Sequence, residues 1–347
     1  MRQMKRIPLP ISLMILTLMI PLLIAGCEDK VNPISPHWRT WKNGDTVPGY
    51  VLAQPSGSRA DVEAKAQMWD NYWALELAVD LNTGNNDDNI FTLGEDVVFS
   101  LYISNESNDI WNGVHLIHLV YKFPDYFPCE WAPDTVSVFD LKAWDIESPT
   151  IDGDGSDVIW QTLQHNEVKW ETKLEMSGVS GDNGLNEAFL IAAHDSSKIY
   201  FKLAWPDPNA TADMAKDMWH YDGHTKWSRG SEEEDMVMFL FPTEQAPTDW
   251  EILGGATFFP GEEHPADGWV NVWRWHAGLT NPMGWADDLL ATASGLEEDE
   301  GVSGYWENDD SAKFYPPFVQ DPTIEPSSGW EVLLESEAIA FEETLRP

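Results

Sequence analysis

The sequence predicts an all-β protein, an antiparallel β-sandwich with a few short helices. Three observations lead there. Apolar or alternating segments recur at strand length. Clusters of Gly, Asn, Asp and Pro separate them, as in Asn82-Thr83-Gly84-Asn85-Asn86-Asp87-Asp88. Helical periodicity is sparse across the 347 residues.

The N-terminus reads as an export signal. Arg2, Lys5 and Arg6 make a positive start, and Ile11 to Ile24 is an apolar run. Ile24-Ala25-Gly26-Cys27 then places small residues before a thiol. A signal of this kind ends in a lipobox, where a peptidase reaches the backbone and Cys27 accepts a diacylglycerol. The alternative is a transmembrane anchor, for which the run is short of the usual ~20 residues. Residues 1–26 are therefore expected to be a lipoprotein signal peptide and 27–36 a tether. The mature chain would be exported, as a periplasmic or cell-surface lipoprotein held to a membrane by its lipid.

The strands follow in order. Trp73 to Val79, Val97 to Ile103 and Val114 to Phe123 alternate or run apolar, within a β-rich segment over residues 37–123. Residues 124–148 read as a connection. Lys198 to Trp205, Met236 to Phe241 and Val270 to Trp275 continue the pattern inside a main sandwich over 149–347. Helix is expected only at Asn209 to Trp219 and Ala286 to Ser294. Residues 295–329 are acidic and irregular.

Composition narrows the function. The formal charge is -39, and loss of Arg2, Lys5 and Arg6 with no acid takes the mature chain to -42. Such a chain repels nucleic acid and anionic lipid; a basic partner or cations suit it. Hydrophobic residues at 43% and 19 Trp argue for a sizeable core rather than disorder. After Cys27 only Cys129 remains, so there is no intramolecular disulfide. No C-x-x-C-H occurs, which excludes covalent c-type haem attachment.

Several segments resemble the haem-binding domain family of the gamma subunits of ethylbenzene dehydrogenase and dimethylsulfide dehydrogenase. Pro149-Thr150-Ile151-Asp152-Gly153 with Asp157 and Trp160 resembles the family's opening strand. His194-Asp195 and Ile199 to Pro208 resemble its next motif, and Glu234 to Pro242 the strand after it. Asn271-Val272-Trp273-Arg274-Trp275-His276, then Gly284 and Ala286-Asp287-Asp288, resemble a later one. Trp41 to Leu52, Ser58 to Val62, and Trp69 to Asp88 resemble a region that in the family comes last. Here it comes first. Either the domain is circularly permuted, with 37–123 completing the sandwich begun at 149, or 37–123 folds separately. An ~85-residue segment is small for a core of its own.

The resemblance implies a haem b in a slot between apolar side chains, with a Met and a Lys as axial donors. The methionine lies on the strand matching Met236 to Phe241, where Met236, Met238 and Leu240 share one face. Met238 is the expected sulfur donor and Met236 its neighbour. The lysine position falls on His115, within Trp111 to His118; His276 replaces another family lysine and is the second-choice nitrogen donor. His115 and His118 are three apart, so on a regular strand they face opposite ways and need a bulge to share one iron. The implied function is electron transfer, or an accessory subunit of a redox enzyme with a redox partner, and not catalysis.

Two other readings stand beside it. Asp152-Gly153-Asp154-Gly155-Ser156-Asp157 packs three carboxylates into a glycine loop, either a solvated turn or a Ca²⁺ site through Asp152, Asp154 and Asp157. The acids at Asp87-Asp88 and Asp287-Asp288 read as solvated loops. The "D-G-x-x-D-x-x-W" type of opening also occurs in sugar-binding sandwich domains. Trp73, Trp205, Trp273 and Trp275 would then stack on a polysaccharide.

Overall fold

A computed structural model gives the fold. It describes residues 43–44, 46–52, 54–69, 71–105, 111–121, 135–165, 171–178, 184–207, 213–224, 227–244, 246, 268–292 and 294–308. Cys27, the export signal and Cys129 lie outside the described residues.

Ten strands carry the molecule. They are β1 (Val62–Trp69), β2 (Tyr72–Asp80), β3 (Val97–Ser104), β4 (Asn112–Val120) and β5 (Thr135–Asp140). After helix α1 (Val158–His165) come β6 (Glu187–His194), β7 (Lys198–Pro206), β8 (Met236–Pro242), β9 (Trp269–His276) and β10 (Trp285–Thr292). One sheet runs β4-β3-β8-β9-β10 and the other β1-β2-β7-β6-β5. They meet at two narrow seams. β10 pairs with β1 only at Trp285–Glu63 and Ala286–Val62, and β4 pairs with β5 over three residues. The sandwich is thus a flattened, closed ring, which leaves few free sheet edges.

All six strands expected from the pattern form, each within a few residues of its expected bounds. The class is all-β as expected, but β5 runs parallel to both β4 and β6. Strands from 62–120 and from 198–292 alternate around one ring: β2 pairs with β7 over nine residues, and β3 with β8 over five.

Helix is where the pattern misleads. Ala286 to Thr292 is a strand, because β9 and β1 pair with β10 from both sides. Its Ala and Leu residues favour helix, but tertiary pairing overrides that preference. The described part of the other expected helix, 213–218, is irregular and ends in the strand Trp219–Tyr221. The helix that does form, α1, follows the loop read as an opening strand. Leu163 sits three and four residues after Trp160 and Ile159, and the three cover Ala78, Ile191 and Tyr200 on the outside of the second sheet.

The interior explains the tryptophan content. By the two-residue period, Trp73, Leu75, Leu77 and Val79 of β2 face inward, as do Val237, Phe239 and Phe241 of β8. Trp73, Trp205 and Trp275 pack with ring centroids 5.4–6.1 Å apart. Phe99, Phe201, Phe239, Phe241 and Trp273 form a second cluster, tightest at Phe241–Trp273, 4.3 Å. Aromatic rings thus pack between the two sheets.

Candidate functional site

On β8 the period that turns Phe239 inward turns Met236, Met238 and Leu240 outward. They pack there with Tyr102, Trp111, Val270, Val272 and Leu289. All three are nevertheless buried, at 3%, 1% and 0% exposure.

The sheet register decides which predicted donors meet. Met236 pairs directly with His276 on β9, whereas Met238 pairs with Arg274. Cross-strand partners on one face lie about 5 Å apart at Cβ. His276 Nδ1 lies 2.9 Å from Glu234 Oε1, and that carboxylate also accepts N–H groups from Gly278 and Leu279. The opposite ring nitrogen, Nε2, is buried and has no hydrogen-bond partner. A carboxylate on one imidazole nitrogen with the other left open is the arrangement that orients a metal-binding histidine.

β4 carries an irregularity at the first-choice donor. Leu101 pairs with Val114 but Phe99 with Ile117, so a bulge holds residues 115 and 116 opposite Ser100. Val114 and Ile117 both face the core although three apart, and His118 is exposed. His115 lies on this bulge; its side chain is outside the described residues. Its strand is separated from β8 by β3, so it is not a cross-strand neighbour of Met236 or Met238.

The Asp152–Asp157 loop is organised around a different acid. Glu76, fully buried on β2, accepts backbone N–H groups from Asp152, Gly153 and Gly155 at 2.9–3.2 Å. Burial raises its pKa to about 7 despite these bonds. The loop's own carboxylates turn to loop backbone: Asp152 to the N–H of Asp154, Asp154 to Ser156, and Asp157 to Thr150. The three do not converge on one point. Two other acidic groups do, each with carboxylate oxygens within 4.8 Å: Asp87, Asp88 and Asp299, and Asp207, Asp213 and Asp235.

Beside this loop the second sheet carries an open cleft of about 360 Å³. Trp69 and Tyr72, 55% and 42% exposed, line it with Lys202, Glu171 and Asp154. Burial lowers the pKa of the Lys202 amine against the opposing pull of Glu76, Glu171 and Asp154. The four tryptophans expected to meet a polysaccharide are all at most 2% exposed, which corrects that assignment. Among the described residues no helix is long and apolar enough to cross a membrane.

The strands make this a closed β-sandwich domain. A family profile described as Ethylbenzene dehydrogenase matches residues 20–108 and 157–346, and the chain belongs to that family. No curated protein and no solved structure matches it significantly. His276 was visible in the sequence only as a replaced family lysine. Its preparation by Glu234, 42 positions away, carries no local signal.

Proposed function

We propose that this chain is an exported, lipid-anchored haem b protein serving electron transfer or a redox enzyme as an accessory subunit. His276 with Met236 or Met238, on the outer face of the β8–β9 sheet, would hold the haem. The observation that carries the reading is His276, fixed at Nδ1 by Glu234 and open at Nε2, with the Met236 side chain as its direct cross-strand neighbour. Membership of the ethylbenzene dehydrogenase family supports it. His276 is the primary nitrogen donor in this reading and replaces His115. Met236 or Met238 supplies a thioether on the same face. A haem with a histidine donor cycles between ferric and ferrous states, and a thioether second ligand raises its potential. The chain's own part is to orient the imidazole and exclude water. Cys27 supplies the anchor.

The test is an absorption spectrum of protein purified from its native host, with haem quantified after extraction. One haem per chain and a Soret band that shifts on reduction are expected, and His276→Ala should lose both. Iron-free native protein, or a His276→Ala variant with an unchanged spectrum, sinks the proposal.

A second reading is favoured by the Trp69–Tyr72 cleft. Exposed aromatic rings beside a recessed amine and carboxylates suit a sugar, whose apolar face stacks while its hydroxyls hydrogen-bond. Calorimetry against soluble glycans checks it: binding that Trp69→Ala removes is expected, and no heat with any glycan ends it.

A further inference from the structure

The acids around the start of the 81–96 loop do not behave as a solvated charge run. Asp87 and Asp88 lie in that loop, Asp288 on β10, and Asp299 just beyond the strand Gly295–Glu298, so three distant stretches bring them together. Oxygens of Asp87, Asp88 and Asp299 lie within 4.8 Å of one another. Asp88 and Asp288 hold the same amide: Asn271 Nδ2 donates to Asp288 Oδ1 at 2.6 Å and reaches Asp88 Oδ1 at 3.5 Å. Asp61 joins from the other side through Asn85, whose Nδ2 is 2.7 Å from Asp61 Oδ2 and 3.3 Å from Asp88 Oδ2. Among the described residues, no Lys, Arg or His forms an ion pair with any of these five acids.

Two buried oxygens point to a ligand. Asp288 is 1% exposed and its Oδ2 has no partner; Asn271 is fully buried and its Oδ1 has none either. An unpartnered carboxylate oxygen buried near Asp88, Asp299 and Asp61 is strongly unfavourable on its own. All the available donors are oxygens, from carboxylates and a carboxamide, on elements that a single ion would tie together. Ca²⁺ takes six to eight such oxygens in flexible geometry, whereas Mg²⁺ keeps several waters and demands a tighter shell.

We propose that Asp87, Asp88 and Asp299, backed by the free Oδ2 of Asp288, bind one divalent cation, Ca²⁺ by its ligand chemistry, and pin the 81–96 loop to the end of β10. The inference is independent of the haem reading.

The experiment uses full-length protein stripped with EDTA at neutral pH and titrated with CaCl₂ or MgCl₂, followed by calorimetry and thermal melting. Expected are one Ca²⁺ per chain at this site, a rise in melting temperature, and weaker binding of Mg²⁺. Asp87→Asn and Asp288→Asn, each checked for fold by circular dichroism, should weaken Ca²⁺ at least tenfold. Asp154→Asn, in the separate glycine loop, should bind as wild type. No heat and no melting shift at millimolar Ca²⁺ overturns the site, as does loss of binding in Asp154→Asn with Asp87→Asn unaffected.

Discussion

Arg59 and Asp287 form a buried two-point ion pair, with Nε–Oδ1 at 2.7 Å and Nη2–Oδ2 at 3.2 Å. It joins the turn before β1 to β10. Both side chains are at most 1% exposed. Arg274 and the Tyr305 hydroxyl also reach Asp287. The next residue, Asp288, points to the other side of the strand, toward the Asn271 amide and the carboxylates of Asp88, Asp299 and Asp61. Burial acts to raise both pKa values; the two guanidiniums nevertheless hold Asp287 below the usual range, while Asp288 goes up. One step of the β pleat thus separates an acid with its counter-charge from one without.

Truncating Arg59 should unmask that difference. Removing one partner of a buried pair strands the other charge and costs about 3–5 kcal/mol. Arg59→Met is therefore expected to be strongly destabilised in urea unfolding at neutral pH. A loss below about 1 kcal/mol would place Arg59 among ordinary surface ion pairs.

Metal-free protein should lose stability as pH rises. Glu76 titrates at about 7 in the fold, and Asp61 and Asp299 at about 6, with burial the largest cause in each case. Unfolded carboxyls titrate near ~4. Between those values the folded chain binds more protons than the unfolded one, so stability is greatest near the lower end and falls as pH rises toward 7. Asp195 and Asp287, held low, contribute oppositely, but they give up stability only at more acidic pH. Urea midpoints of EDTA-treated protein at pH 5 and pH 7 check the sign. A higher midpoint at pH 7 contradicts it.

What the chain reveals before folding follows from how local each signal is. Met236 to Phe241 reads as a strand because it is buried on both faces and hence continuously apolar. Lys198 to Trp205 reads as one because Phe201, Leu203 and Trp205 alternate with Lys202 and Ala204. Glu187 to His194 escapes notice: it does not alternate, its three alanines dilute the β signal of Phe189 and Ile191, and its pairing with β7 and β5 makes it a strand. The candidate sites are less legible still. His276 needs Glu234, and Asp288 needs Asp88 and Asp299, and those contacts exist only after β8, β9 and β10 lie side by side.

Glu234→Gln tests how His276 is prepared. The carboxylate holds Nδ1 and two turn N–H groups at once. Loss of an outer-shell carboxylate on a metal-binding histidine typically costs 10–100-fold in metal affinity. Haem retention through gel filtration should fall correspondingly in Glu234→Gln, with the far-ultraviolet spectrum unchanged. Equal retention in variant and wild type would separate Glu234 from the proposed haem site and leave it as a turn clamp.

The bulge on β4 makes the last prediction, because it sets the side chains around His115. Leu116 sits at φ 59° and is 41% exposed. A left-handed backbone costs a non-glycine residue about 1–2 kcal/mol. Glycine escapes that cost but gives back roughly 0.5–1 kcal/mol in unfolded-state freedom. Some apolar burial is lost as well, since the side chain is still more than half buried, and this offsets part of the relief. Leu116→Gly should therefore be neutral to about 1 kcal/mol stabilising, while β-branched Leu116→Val should be destabilising, since branching makes positive φ still less tolerable. Urea midpoints in the order Gly, Leu, Val support a bulge that keeps Val114 and Ile117 in the core together. The reverse order means that residues 114–117 run as a regular strand, in which those two side chains cannot share a face.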